Sequence, residues 1–377
     1  MNATAKPAGL CDPVEVSLHD VEQELSRQLR GLAEAEHGPV QRVRMSNLVV
    51  YCDREELLQS IAAEIPKAVA VHPGRVILLV GESTPGSEGI TATVCVQAHG
   101  QGHQHQACSE QVILRAGGDA INRLSFAVRA LLIGDLPTNL WWAAPEPPPF
   151  AGLLLHELGE PAQQIIYDSL GWREPAKGVA ATAAWLETVE RTAGGRWRVA
   201  SDLNWRRLKY WRRLVAQALD PAFDPDLTPS ISEVIVEHGP HAVVQAWELI
   251  SWVAQRLGWH VLTGKVKPGV EIGWRFMGPH REIRVRIRRL EQGPAELCQI
   301  QFTCTLRGRP TKMTLVPDGE LRLAITFDGM DTAPRTVTAP RLDLAELLGR
   351  QLSDRERDPA FRQSMEVAQV LARSVRG

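Results

Sequence analysis

The chain has no long apolar run. No stretch approaches the roughly 20 consecutive apolar residues that a helix needs to cross a bilayer, so no membrane span is expected. It also carries almost no net charge. Its 42 basic and 44 acidic residues are well mixed and leave a formal charge of -2. Such a balance gives no overall attraction to nucleic acid or anionic lipid, and any contact of that kind has to be local. Cysteine is sparse, and the six (Cys11, Cys52, Cys95, Cys108, Cys298 and Cys304) are scattered. Residues 1–11 hold no apolar core of a signal peptide, so a cytoplasmic location with reduced, buried thiols is expected. Phenylalanine and tyrosine are few, at 7 and 3, yet there are 11 tryptophans. Tryptophan packs cores and anchors interfaces, so these residues point to either use.

At 377 residues the chain exceeds what one core usually organises, and two domains are expected. Helical spacing of Val21, Leu25, Leu29 and Leu32 follows the Ser17-x-x-Asp20 cap signal, and Gly38-Pro39 stops that helix. A strand is expected over 43–51, then a helix capped by Asp53 and running to Pro66. The apolar run 76–80 reads as a strand buried on both faces. Strands over 90–98 and 111–115 form a long hairpin around a polar tip. Helix 119–132, strand 139–143, strand 164–167, helix 180–190 and helix 203–219 follow. This alternation argues for an α/β domain over 14–224 with a mixed or mostly parallel sheet. After Asp224-Pro225 the pattern changes. A helix over 240–257 places Val243, Trp247, Ile250, Ala254 and Leu257 on one face. Alternating runs over 271–276, 282–290, 297–306, 311–316 and 321–327 then read as an antiparallel meander. Two closing helices complete an α+β domain over 225–377, the last announced by Asp358-Pro359.

Motifs of catalysis are mostly missing. Gly81, Gly86 and Gly89 match neither a dinucleotide fingerprint nor a P-loop, so they read as a turn. In His156-Glu157-Leu158-Gly159-Glu160 the second histidine of a zinc-hydrolase helix is replaced by Glu160. Cys95, His99, His103, His105 and Cys108 are the densest set of metal-ligand types, but they lack a paired knuckle and read as a solvated loop tip. No catalytic residue, metal or cofactor is expected. Cys298 and Cys304 fall on the same face of one strand as Ile300 and Phe302. Six residues of strand span roughly 20 Å, and a disulfide needs Cα atoms about 5.5 Å apart, so two core thiols are the reading. Arg284, Arg286 and Arg288 alternate with Ile283, Val285 and Ile287 as a basic ladder. Arg206, Arg207, Lys209, Arg212 and Arg213 interleave with Trp205, Tyr210 and Trp211. Such patches suit phosphate, nucleic acid or an acidic protein surface, against the plainer reading of a solvated face.

Asp135-Leu136-Pro137-Thr138-Asn139-Leu140-Trp141-Trp142 resembles the D-L-P-x-x-x-W-W signature of the glucose-6-phosphate dehydrogenase assembly protein family, OpcA. Ser201-Asp202-Leu203-Asn204-Trp205, followed by Trp211-Arg212 and Asp220-Pro221, is similar to its second signature. His72-Pro73-Gly74-Arg75-Val76 is similar to its H-P-x-R-V segment. The resemblance runs over 43–221 and continues more weakly beyond. It implies a non-catalytic protein that binds glucose-6-phosphate dehydrogenase and promotes its assembly or active state. It also implies thiol redox control in photosynthetic members, for which Cys298 and Cys304 are the candidate pair. The expected partner surface is Trp205, Arg206, Tyr210 and Arg213 with the Arg284, Arg286 and Arg288 ladder. The rival readings are an α/β enzyme acting on a phosphosugar and, less favoured by the charge balance, a nucleic-acid-binding protein.

Overall fold

Strands such as Val76-Ile77-Leu78-Leu79-Val80 have no polar face to offer water, and the fold covers them on both sides. The computed structural model describes residues 13–35, 40–82, 89–99, 106–191 and 197–376. Among these residues nine strands form the first sheet: β1 (Val14–Val16), β2 (Val40–Arg42), β3 (Asn47–Cys52), β4 (Arg75–Glu82), β5 (Ile90–His99), β6 (Gln106–Gly117), β7 (Thr138–Trp142), β8 (Gln164–Tyr167) and β9 (Val199–Asp202). Their order is β1-β5-β6-β4-β3-β7-β8-β9, with β2 paired to β6. All neighbours from β6 to β9 run parallel, and β5 and β1 add an antiparallel edge. The expected α/β architecture with a mostly parallel, mixed sheet is present.

The helices of this half are α1 (Val21–Ala35), α2 (Glu55–Val69), α3 (Leu124–Leu131), α4 (Gly152–Gly159) and α5 (Pro175–Val189). Val49, Ile77, Leu140 and Trp142 meet residues of α3, α4 and α5 on one face. Leu48, Val50, Leu78 and Trp141 meet α2 on the other. Several local expectations shift. The strand expected from residue 43 begins only at Asn47, because the preceding segment bonds to other loops, with Met45 N donating to Pro73 O at 2.9 Å. Asp53 does not cap α2; the cap position is Arg54, without a side-chain bond. The helix also runs through Pro66 to Val69, forgoing the one hydrogen bond that proline cannot donate. The helix expected over 203–219 is two, α6 (Leu203–Arg207) and α7 (Lys209–Ala218), broken where Leu208 N divides between Asn204 O and Trp205 O.

After the short α8 (Leu227–Ser230) comes a second sheet of eight strands: β10 (Ile231–His238), β11 (His260–Lys267), β12 (Glu271–Met277), β13 (Glu282–Arg289), β14 (Leu297–Leu306), β15 (Arg309–Pro317), β16 (Arg322–Asp328) and β17 (Arg335–Thr338). The order β11-β12-β13-β10-β14-β15-β16-β17 corrects the expected simple meander. Strand β10, unforeseen, inserts between β13 and β14 and pairs parallel to β13, so the sheet is mostly antiparallel. Helix α9 (Val243–Arg256) packs on this sheet, Trp247 meeting Trp274 edge-on at 4.9 Å. The chain ends in α10 (Leu344–Ser353), held by an Asp343/Glu346 capping box, and α11 (Pro359–Ser374), capped by Asp358. Helix α10 returns to the first sheet and packs beside α2. No helix among the described residues is long and apolar enough to cross a membrane.

Gly74 lies where two loops cross, and a Cβ there would run into the Ser46 carbonyl oxygen. That oxygen already accepts from Arg75 N at 3.1 Å, so it cannot give way freely. Gly74→Ala is expected to destabilise the protein by about 1–3 kcal/mol in urea unfolding.

Candidate functional site

The first signature is built into the frame. Asp135 takes a left-handed backbone (φ 64°), a conformation aspartate tolerates better than most residues, and Leu136-Pro137 lead into β7. On β7, Trp141 and Trp142 point to opposite faces of the sheet and into different clusters of the core. Trp142 stacks on Tyr51 with ring centroids 4.3 Å apart. Asn47 holds the approach to this strand, donating to Ile133 O at 3.0 Å and accepting from Ile133 N at 3.1 Å. In the His72–Val76 segment, Arg75 is buried and gives Glu110 Oε2 two hydrogen bonds of 2.6 and 2.8 Å.

The second signature forms a polar cluster at the carboxyl ends of β8 and β9. Asp202 caps α6, its Oδ1 accepting from Asn204 N at 2.8 Å and from Ser169 N at 3.1 Å. Asn204 Nδ2 donates to Ser169 Oγ at 3.1 Å. Beside them Asp168 and Arg207 make a two-pronged ion pair, both contacts 2.7 Å. Burial, reinforced by the like charge of Asp168, pushes Asp202 up to about 7. Trp205 is buried rather than presented to solvent. Its Nε1 donates to Asp358 Oδ2 at 2.7 Å, and the Arg212 guanidinium lies 3.4 Å from its ring centroid. Arg206 donates to Gln351 Oε1 at 2.6 Å and to Asp354 Oδ2 at 2.7 Å. The segment thus ties β9 to α10 and α11. Tyr210 is half-buried, and only Arg213 of the four residues singled out on this segment is exposed.

The ladder on β13 is real as a pattern but internally matched. Arg286 Nη2 pairs with Glu233 Oε1 at 2.8 Å, and Arg288 Nε with Glu271 Oε2 at 2.9 Å. Arg284 is exposed, across from Glu233 on β10 and Arg275 on β12. The outward residues Glu233, Ile235, Glu237, Gln299, Gln301 and Thr303 of the adjoining strands are only half-buried. Between α7 and the loops of the second sheet lies a cleft of about 560 Å³, lined by Arg207, Tyr210, Trp211, Gln245 and Cys298. Cys298 does not share the inner face with Ile300. A register shift at Glu237/His238 places Leu297 inward in its stead. Cys298 and Cys304 are free thiols, and burial raises both, Cys304 to about 11. Among the described residues no His, Cys, Asp and Glu group is arranged to hold a metal; His103, His105 and Gly86 lie outside them.

The sequence reading passed over Asp168, Ser169, Tyr167 and Glu248. Their signal was a lone acid inside an apolar helix (Glu248) and polar residues just past a buried strand end. Arg207→Met, which strands Asp168 beside Asp202, is expected to lower stability by about 2–3 kcal/mol at neutral pH in urea unfolding. That is less than a fully buried pair because both side chains keep some solvent.

A family model described as the glucose-6-phosphate dehydrogenase subunit N-terminal domain matches residues 66–184. The corresponding C-terminal domain model matches residues 198–365. The OxPP cycle protein OpcA of Synechocystis sp. is 31% identical over 207 residues, covering 53% of this chain and 40% of that protein. OpcA of Nostoc punctiforme is 30% identical over 215 residues, covering 56% and 44%. The chain therefore spans under half the length of these relatives. Among solved structures, an oxidoreductase from Sinorhizobium meliloti superposes with a TM-score of 0.48 at 12% identity, over 89% of this chain and 97% of that one. A Gal80p super-repressor mutant from Saccharomyces cerevisiae reaches 0.48 at 6%, over 89% and 96%. Neither likeness bears on activity. Two consecutive models of one family span most of the sequence, and the motifs of that family lie at the strand ends and helix start just described: the chain belongs to the OpcA family.

Proposed function

We propose that this chain is a non-catalytic assembly factor or allosteric activator of glucose-6-phosphate dehydrogenase, acting in the cytoplasm within the oxidative pentose phosphate pathway. Family membership supports the partner. The observation that carries the non-catalytic reading is at the switch point of the first sheet, where β3 has β4 on one side and β7 on the other. In doubly wound sheets a dinucleotide phosphate sits there, on a glycine-rich turn at a helix N-terminus. Here that turn is Cys52-Asp53-Arg54-Glu55-Glu56, without glycine and with three carboxylates. These carboxylates repel a phosphate, and Glu55 is already paired with Arg115 at 2.8 Å. The stacked Tyr51 and Trp142 fill the adjoining strand ends.

An activator acts by binding the active state of its enzyme more tightly than the inactive one, and the ratio of the two affinities sets the gain. We assign the contact to the outward face of the second sheet, around Arg284, Arg286 and Arg288; Arg213, exposed on α7 where that helix packs beside β16, is a separate candidate. The existing ion pairs hold Arg286 and Arg288 in place, which lowers the entropy lost on binding. The family's aromatic signatures brace the interior that supports this face.

Titrating the chain into glucose-6-phosphate dehydrogenase of the same organism is expected to raise the rate to a plateau, with the two proteins co-eluting. The chain alone is expected to turn over no glucose 6-phosphate. Turnover by the chain alone would favour the phosphosugar-enzyme reading. Arg284→Glu is expected to weaken the complex about tenfold or more, as charge reversal at an interface arginine does. Unchanged affinity for that variant would move the contact off the ladder while leaving the activation result standing.

A further inference from the structure

Helix α9 is buried continuously from Val244 to Ala254, on all sides and not on the one face its apolar spacing suggested. Polar residues on such a helix need partners inside the protein. Gln245 Oε1 accepts from Leu297 N at 3.0 Å, and Ser251 donates to Trp247 O at 2.8 Å. Glu248 is different. It is 2% exposed, and its Oε2 meets no hydrogen-bond donor among the described residues. It faces the carboxyl of Asp202, itself 3% exposed, which caps α6 where that helix packs against α9. Two neighbouring carboxylates so deeply buried cannot both be charged at little cost; a proton between them turns repulsion into a strong, charge-assisted hydrogen bond.

We propose that Glu248 and Asp202 share a single proton across the junction between the two sheets, so that the seating of α9 on the signature segment is pH-sensitive, firmest in acid and progressively loosened as the pH rises through and beyond neutrality. The surroundings decide which carboxyl carries the proton. Asp202 accepts from two backbone amides, which stabilise its anion. Glu248 has no such donors. From β8 and the residue after it the neighbours are Tyr167, whose buried hydroxyl has no partner among the described residues, and Asp168, whose charge is taken up by Arg207 of α6. From α7 comes Arg212, engaged with the ring and carbonyl of Trp205, which favours the anion of Glu248 only in part. Arg362 of α11, whose charge reaches Tyr167, is paired with Glu190. Burial therefore dominates and holds Glu248 well above its ordinary range, with Asp202 adding to the effect.

The sign follows. Both groups bind protons more tightly folded than unfolded, so their contribution to stability is full below the ordinary carboxylate range. It declines as pH rises from there through about 7, where Asp202 is placed, and further as Glu248 ionises. The inference concerns this chain alone and stands apart from its partner.

The test is the pH dependence of unfolding of the full chain, wild type against Glu248→Gln, between about pH 5 and 9. Glutamine keeps a donor towards Asp202 but cannot titrate. The unfolding constant of the wild type is expected to rise with pH more steeply than that of the variant, by up to about tenfold per pH unit. Parallel slopes overturn the proposal. Asp202→Asn removes the other half of the pair while still accepting the two amides, and it is expected to flatten the slope likewise should Glu248→Gln fold poorly. Infrared spectra of the folded wild type at neutral pH are expected to contain a protonated, solvent-shielded carboxyl band. No such band in the wild type, or an undiminished one in Glu248→Gln, overturns the proposal too.

Discussion

A parallel sheet without a wet face has to be covered twice, and in this chain one covering is supplied from far away. Strands β3, β4 and β7 present Leu48, Val50, Leu78 and Trp141 to the side that α2 covers only in part. Helix α10, about 280 residues further along, completes the layer with Leu347, Leu348 and Leu352. At roughly 25 cal/mol per Å² of apolar surface, each buried leucine of that helix contributes about 2 kcal/mol. The second sheet is thereby strung between two segments that both belong to the first layer, and the halves of the chain share one hydrophobic cluster.

The same constraint explains why polar chemistry gathers at the carboxyl ends of β8 and β9. Backbone amides leaving a buried strand need acceptors, and Asp202 supplies one for Ser169 and Asn204 together. Having brought a carboxylate into the interior, the fold surrounds it with Asn204 and Ser169, with the Asp168–Arg207 pair and with Glu248 of α9. Trp205 and Arg206 then reach the caps of the last two helices, at Asp358 and Asp354. A short signature thus joins the first sheet, the second sheet's helix and the chain's end.

This arrangement separates the signature residues from the exposed surface. Trp141, Trp142, Asp202, Asn204 and Trp205 are all buried. Substituting them would disturb the packing of the frame before it changed any exposed surface. Arginines at the surface behave differently. Arg284 and Arg213 are exposed, whereas Arg286 and Arg288 answer to acids on neighbouring strands.

Much of the fold was legible in the sequence because strand and helix periodicities are local. The 90–98 and 111–115 hairpin, strand 164–167, the meander runs and the Asp358-Pro359 start all lie where the pattern put them, and the D-L-P-x-x-x-W-W motif carried the family. What local pattern could not supply was pairing. Strand β10 reads as an ordinary stretch, Ile231-Ser232-Glu233-Val234, until β13 lies parallel to it about 50 residues on. A one-residue register shift turned Cys298 off the inner face that its even number implied. Trp205 and Arg206 looked like anchors for another protein because aromatic and basic residues interleave there. Only the return of α10 and α11 gave them Asp358, Gln351 and Asp354 as partners. Glu248 was invisible for the same reason: a helix buried on all sides differs from an amphipathic one in what surrounds it. Sequence determined most of the elements, the family and the Asp358 cap. Tertiary structure decided burial and partnership, because those depend on contacts between residues that the chain keeps far apart.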